Sequence, residues 1–164
     1  SRTNSTIAQV RAALDGYNFN EIASSIYQFT WHEFCDWYLE WIKPELYGDD
    51  EQARQNARGV LLCVLENILK MLHPITPFVT EEIWSRLPGE RGTIMLESFP
   101  EENSAWNNAQ ADQDMELLMG VISALRTIRS EADVHPTAKI QAFVVCPDEK
   151  KQALIRSFTK AVSA

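Results

Sequence analysis

Long apolar runs are missing from this 164-residue sequence. None approaches the roughly 18 residues that a membrane-crossing helix needs, and no charged-then-apolar leader opens the chain. Neither a membrane association nor an export signal is therefore expected, and a cytoplasmic location is. Cysteine is scarce as well: Cys35, Cys63 and Cys146 are odd in number, far apart and free of any CxxC pair. That pattern excludes a disulfide scaffold and a zinc knuckle, leaving small buried thiols in a reducing compartment. Six glycines build no phosphate-cradling loop, and no GxSxG nucleophile elbow is present. Positive charge is also short. Fifteen Lys and Arg face 23 Asp and Glu, a net charge of −8 that argues against indiscriminate nucleic-acid binding.

Apolar and aromatic residues are not scarce. They make up 45% of the chain, with five Trp, seven Phe and four Tyr, enough for a real core. The charge is also uneven. Residues 1–125 carry eight basic against 19 acidic side chains, whereas residues 126–164 carry seven against four. Any basic surface must be local.

Periodicity predicts helices along most of the chain. The first covers about Thr6 to Asp15, with Ile7, Val10 and Leu14 on one face and Gly16 as its stop. Asn18 and Glu21 suggest a capping box, with Tyr17 stapled to Ile22, for a second helix that Pro44 should end. Along it, Phe19, Ala23, Ile26, Thr30, Phe34, Trp37 and Trp41 repeat at helical gaps. A second row, Tyr27, Trp31, Phe34, Tyr38 and Ile42, widens the stripe. A third helix is expected over Glu51 to Leu72. Thr76 as cap and Pro77 at the first helical position should open a short helix through Leu87. Ile94-Met95-Leu96 reads as a brief extended stretch. A long helix from about Ala105 to Ala132 carries a coiled-coil-like seam of Ala111, Met115, Leu118, Ile122, Leu125, Arg129 and Ala132. Lys139 to Cys146 is the one convincing strand, and Asp148 to about Ala161 a final helix. The fold class expected is mainly α: an antiparallel bundle over residues 1–103, a long connecting helix over 104–133, and a partial α/β appendage over 134–164. A lone strand needs a partner, either Ile94-Met95-Leu96 or strands beyond Ala164. The second choice is preferred, and the chain reads as a piece of something longer.

No set of residues declares catalysis. His32, Glu33 and Asp36 approach the HExxH pattern, but Asp replaces the second His and a third zinc ligand is lacking nearby. The aromatics Trp31, Phe34, Trp37, Tyr38 and Trp41 are interleaved with Glu33, Asp36 and Glu40, not with the Lys and Arg of a base-stacking groove, so they are expected to be core. Paired carboxylates such as Glu81-Glu82 suit a helix N-terminus better than acid–base work. Among basic residues, Arg54, Arg58 and Lys70 lie on the polar side of the third helix. Arg126, Arg129 and Lys139 lie where the charge turns positive. Together they make a candidate phosphate-binding strip. No catalytic, cofactor or metal residue is assigned.

Several segments resemble valyl-tRNA synthetases. Tyr27-Gln28-Phe29-Thr30-Trp31-His32-Glu33-Phe34-Cys35-Asp36-Trp37-Tyr38-Leu39-Glu40 is similar to an aromatic helix particular to that branch. Leu72-His73-Pro74-Ile75-Thr76-Pro77-Phe78-Val79-Thr80-Glu81-Glu82-Ile83-Trp84 is similar to a segment shared with the isoleucyl and leucyl enzymes. Ile94-Met95-Leu96 with Phe99-Pro100, and Ile128-Arg129-Ser130-Glu131-Ala132-Asp133-Val134 with Pro136 and Lys139-Ile140, resemble further family elements. The resemblance, covering about Val10 to Cys146, implies an anticodon-side tRNA-binding bundle. It implies tRNA(Val) and the catalytic domain of the same chain as partners, and no obligate protein partner. The parent would be a valine--tRNA ligase that takes ATP with magnesium as substrate, charges tRNA(Val) and edits mischarged tRNA. The ATP-binding His-Ile-Gly-His and Lys-Met-Ser-Lys-Ser motifs are absent, so no catalytic residue carries over. A first bundle helix before Ser1 and a coiled-coil arm after Ala164 are implied elsewhere in that parent. The competing reading is a helical protein-interaction module that docks through the aromatic stripe.

Overall fold

A computed structural model describes residues 1–135, 138 and 140–158. The order is α1 (Arg2–Asp15), α2 (Phe19–Tyr27), a π-helical segment (Gln28–Tyr38), α3 (Leu39–Leu46), α4 (Glu51–Leu72), α5 (Pro77–Ser85), two 3₁₀ turns (Ile94–Leu96 and Ser104–Trp106), α6 (Ala109–Glu131) and α7 (Glu149–Ser157). Two compact units form, Ser1–Asn107 and the chain from Asn108 onward. The mainly α, bundle-type architecture is the one the periodicity implies.

In the first unit, α1, α2 and α4 bury Ile7, Val10, Ala13, Ile22, Ile26 and Met71 together. A second cluster joins Phe29 and Phe34 of the π segment to Ile68 of α4, and a third joins Leu69, Trp84 and Ile94. Asn4 is a polar residue inside this packing, and both its side-chain N–H groups and its carbonyl oxygen are bonded across the chain. Its Nδ2 donates to the Asn103 carbonyl and to Asn107 Oδ1, both at 2.7 Å, and its Oδ1 accepts from the Asn103 amide at 3.1 Å. These bonds fasten residues 103–107 to α1, since a buried amide must be paired.

The end of α1 differs in detail from expectation. The left-handed residue is Tyr17 (φ 56°), not Gly16, which stays right-handed. Asn18 N donates to the Ala13 carbonyl at 2.8 Å and Tyr17 N to Leu14 at 3.0 Å, a Schellman closure. Tyr17 is thereby turned outward, 79% exposed, instead of stapling α2, and the Asn18 side chain makes no cap bond. The same closure ends α6, with Asp133 at φ 50°.

The second helix does not end at Pro44. It runs on to Leu46, because proline removes one amide bond in a last turn that closes only two residues later. Gly48 follows so closely that a Cβ there would lie 2.6 Å from the Pro44 carbonyl oxygen. The larger departure is the π segment. Its i→i+5 turn is wider than an α turn, so the buried face slips relative to an α-helical projection. Buried positions run Ile22, Ile26, Phe29, Phe34 and Ile42. The step from Phe29 to Phe34 is five residues. Trp37 and Trp41, expected as core, are consequently only half-buried, and Trp31 is 54% exposed and stacked on Tyr27.

Two further expectations are corrected. Ile94-Met95-Leu96 is a 3₁₀ turn, whose amides at Leu96 and Glu97 bond back to Thr93 and Ile94. Residues 140–146 form no strand, and no strand occurs among the described residues. A strand exists only through a partner's backbone, and none is offered to it among the described residues. Lys139, at the start of the expected strand, lies outside the described residues, as does 159–161 of the expected last helix. Residues 149–157 do form α7, capped by Asp148 Oδ1, which accepts from the amides of Lys150 (2.9 Å) and Lys151 (3.2 Å).

Replacing buried Phe34 by Ala should cost about 3–5 kcal/mol, and replacing exposed Trp31 by Ala about 1 kcal/mol or less, by urea unfolding. Equal costs would contradict the shifted face. Tyr17→Gly should raise the midpoint modestly, because about 1–2 kcal/mol of left-handed backbone cost is relieved while little packing is lost. A lower midpoint would mean that Tyr17 contributes packing the fold does not show.

Candidate nucleic-acid interface

The N-terminus of α4 carries the first two candidates. Asp50 caps the helix, its Oδ1 accepting from the amides of Gln52 (2.9 Å) and Ala53 (3.1 Å). Arg54 then folds back over that turn. Its Nε donates to Glu51 Oε2 at 3.1 Å, its Nη1 to the Gly48 carbonyl at 3.2 Å, and its Nη2 also reaches Glu51. The Arg54 and Gln55 hydrogen bonds hold the Glu51 carboxyl below its usual range, with the charges of Arg54 and Arg58 adding to the effect. Arg54 thus braces a turn. Arg58, one turn on, is exposed and makes no hydrogen bond or ion pair among the described residues.

Lys70 sits at the far end of α4, twelve residues from Arg58, a rise of about 18 Å along the axis. It is only 20% exposed and donates to Glu97 Oε2 at 2.9 Å. Its ammonium lies 5.3 Å from the Trp84 ring centroid, and the Arg91 guanidinium lies 4.7 Å from the same ring. Arg91 bonds Glu66 at 2.5 Å and the Pro88 carbonyl at 2.9 Å, while Trp84 Nε1 donates to the Gly92 carbonyl at 3.1 Å. Two cations on one indole, each held by a carboxylate, tie the 88–97 segment to α4 and α5. Arg91 escaped the sequence reading because nothing local marks a residue that meets Lys70 only through Trp84.

In the second unit, Arg126 is exposed on α6. Arg129 Nη2 donates to the carbonyls of His135 (2.6 Å) and Ala138 (2.7 Å), so it ties down the chain after the helix. That explains the Arg in an otherwise apolar seam. Lys139 lies outside the described residues. Of the proposed strip, Arg54 and Arg58 are neighbours, Lys70 is remote from Arg58, and Arg54, Lys70 and Arg129 are already committed to local bonds.

The segment around His73 is a helix corner. Thr80 is buried, and its Oγ1 lies 2.8 Å from the Thr76 carbonyl and 3.1 Å from that of Pro77. Having one hydrogen, which goes to those carbonyls, Thr80 Oγ1 accepts from His73 Nδ1 at 2.7 Å. This fixes the angle between α4 and α5. The other polar candidates have modest roles. His32 Nδ1 lies 3.2 Å from Asp36 Oδ2, and among the described residues no group of three metal-ligating side chains gathers. Burial pushes the Cys63 thiol up, with Glu66 adding to the rise and Lys70 opposing it, so the thiolate nucleophile is disfavoured. Of the aromatic stripe, Phe34 is buried and Trp37, Tyr38 and Trp41 are half-buried, whereas Phe19, Tyr27 and Trp31 present rings to solvent, the last two stacked at 6.4 Å with the His32 ring edge-on to Tyr27 at 5.9 Å.

Residues 1–144 match the family described as the anticodon-binding domain of tRNA ligase. The chain is similar to the valine--tRNA ligase of Desulfotalea psychrophila, 58% identical over 99% of this chain and 18% of that protein. It is similar to those of Geobacter sulfurreducens (43% identical over 94% of this chain and 18% of that protein) and Syntrophotalea carbinolica (46% over 87% and 16%). The chain spans less than a fifth of the length of these relatives.

The geometry separates a free cation from a structural one. Lys70→Ala should lower unfolding stability by about 1–2 kcal/mol, through the lost ring contact and the Glu97 carboxylate left behind. Arg58→Ala should stay within about 0.5 kcal/mol of the parent. Chemical denaturation of the two variants checks both, and a large loss at Arg58 would place it among the bracing residues.

Proposed function

Since the chain belongs to the anticodon-binding domain family of tRNA ligases, we propose that it is the anticodon-side domain of a valine--tRNA ligase and that its ligand is tRNA(Val). The observation that carries this reading is the family match across residues 1–144, supported by relatives that are named valine--tRNA ligases. The whole protein is read as a cytoplasmic, ATP-dependent ligase whose substrates include ATP with magnesium. The chain's own part is to hold tRNA, and no step of the chemistry is assigned to its residues.

An acidic domain can grip a polyanion only through a few local cations. Arg58 is the leading phosphate contact, because it is exposed and uncommitted among the described residues. Arg126, exposed on α6, is a candidate in the second unit. Arg54 and Lys70 can serve only by giving up Glu51 and Glu97. Tyr27 and Trp31 offer exposed faces to an unstacked base, though Glu33 and Asp36 nearby make that surface unfriendly to phosphate.

Binding by the isolated chain should be weak and salt-sensitive. In filter binding of a tRNA(Val) transcript, Arg58→Glu should lower affinity at every salt concentration. It should also flatten the log–log salt slope by about 0.7–0.9. The loss should be similar for other tRNAs, because a phosphate contact carries no sequence information. An unchanged slope would remove Arg58 from the interface. No tRNA binding by the whole protein would sink the functional reading itself.

A further inference from the structure

Where α1 runs beside α2 and the π segment, an open groove of about 190 Å³ is lined mainly by uncharged polar side chains. Two of these are already committed, Thr6 Oγ1 to the Arg2 carbonyl at 3.0 Å and Ser24 Oγ to that of Glu21 at 3.2 Å. Gln9, Ser25 and Gln28 are not: among the described residues they make no hydrogen bond or ion pair. Buried Phe29 is the apolar member of the lining. Glu33 is its one ionisable member and lies 3.8 Å from Arg2. Tyr27 follows Ser24 by three residues and Trp31 follows Gln28 by three, all four exposed, so the solvent-facing ring stack adjoins the groove.

We propose that groove and rings form a subsite for unpaired bases of the tRNA: one base sets its hydrogen-bonding edge against Gln9, Ser25 and Gln28, and the next stacks on Trp31. The inference rests on the reading of the chain as a tRNA-binding domain, and adds a contact that can tell one base from another. Chemistry selects the ligand. A primary amide carries two donor hydrogens and an acceptor oxygen, and a hydroxyl also donates and accepts, which suits the mixed edge of a nucleobase. A phosphate is charged and accepts only; it finds no cation in the lining and is repelled by Glu33 and Asp36. A paired base has spent its edge and covers its faces by stacking. Only an unpaired base offers both, and single strands are where proteins read RNA sequence. The π segment suits this role, since it begins at Gln28 and its wide turn leaves Trp31 in solvent.

Titration and base probing of a tRNA(Val) transcript with the whole protein test this. Gln9→Ala combined with Gln28→Ala removes two exposed side chains that hold nothing in the fold, so melting should not change. Affinity should fall about tenfold, as the loss of one good base contact requires. The log–log salt slope should stay that of the unchanged protein, because no phosphate contact is lost. Arg58→Glu moves the slope, so one salt series separates the two kinds of contact. Dimethyl sulfate and a carbodiimide together modify every kind of unpaired base. At least one such base should be protected by the unchanged protein and open with the double variant. Replacing that base should weaken the unchanged protein's binding by a similar factor and should cost the double variant nothing more. Trp31→Ala should weaken binding about fivefold or more, again at constant slope. Undiminished affinity in either variant would overturn the proposal. So would a flattened slope, base protection that persists in the double variant, or additive losses from variant and base. Failure of the unchanged protein to bind tRNA at all would instead remove the functional reading, and this subsite with it.

Discussion

The first unit depends on the last turns of α4. Ile68, Leu69 and Met71 each belong to a different buried cluster, and the partly buried Leu65 and Leu72 are each shared between two of them. Successive helical positions point about 100° apart, so neighbours along this stretch face three directions at once. Met71 faces α1 and α2, Ile68 the π segment, and Leu69 the side of α5 and the Ile94 turn. The helix is therefore a post on which three separate packings are hung. It ends where its three-sided burial is complete, and the chain turns at His73.

The π segment is the second determinant of shape. An α-helix continued from α2 through Leu46 would have carried the stripe of Ile26, Thr30, Phe34, Trp37 and Trp41 into one groove. The wider turn keeps Phe34 inside, brings Ile42 under, and leaves Trp31 stacked on Tyr27 in solvent. The burial of Tyr38, which raises its phenol above the ordinary value with help from Glu45 and Cys63, follows from the same slip. Exposed and buried rings are sorted by a change in helical pitch, with no change in the sequence pattern to announce it.

Charge is handled economically. The acidic excess leaves few cations to spare, and most of those in view stabilise structure: Arg54 on its turn, Lys70 and Arg91 on Trp84, Arg129 on the chain that follows α6. What remains for a phosphate is a small set of outward side chains on a surface that otherwise repels it.

Much of this was legible beforehand. Apolar spacing alone placed α1, α4 and α6 to within a few residues, and Pro77 marked the start of α5, because caps and breakers act over one helical turn. The mainly α class followed, as did the family, since ordered motifs need no coordinates. Tertiary structure decided everything that depends on a distant partner. Local patterning reads Ile94-Met95-Leu96 as extended, Lys70 as part of a phosphate-binding strip and Trp31, Trp37 and Trp41 as core, whereas the structure coils the first, lays Lys70 on Trp84 and leaves Trp31 to solvent. Each is settled by residues far along the chain, where local propensity is too weak to compete with burial and with the pairing of buried polar groups.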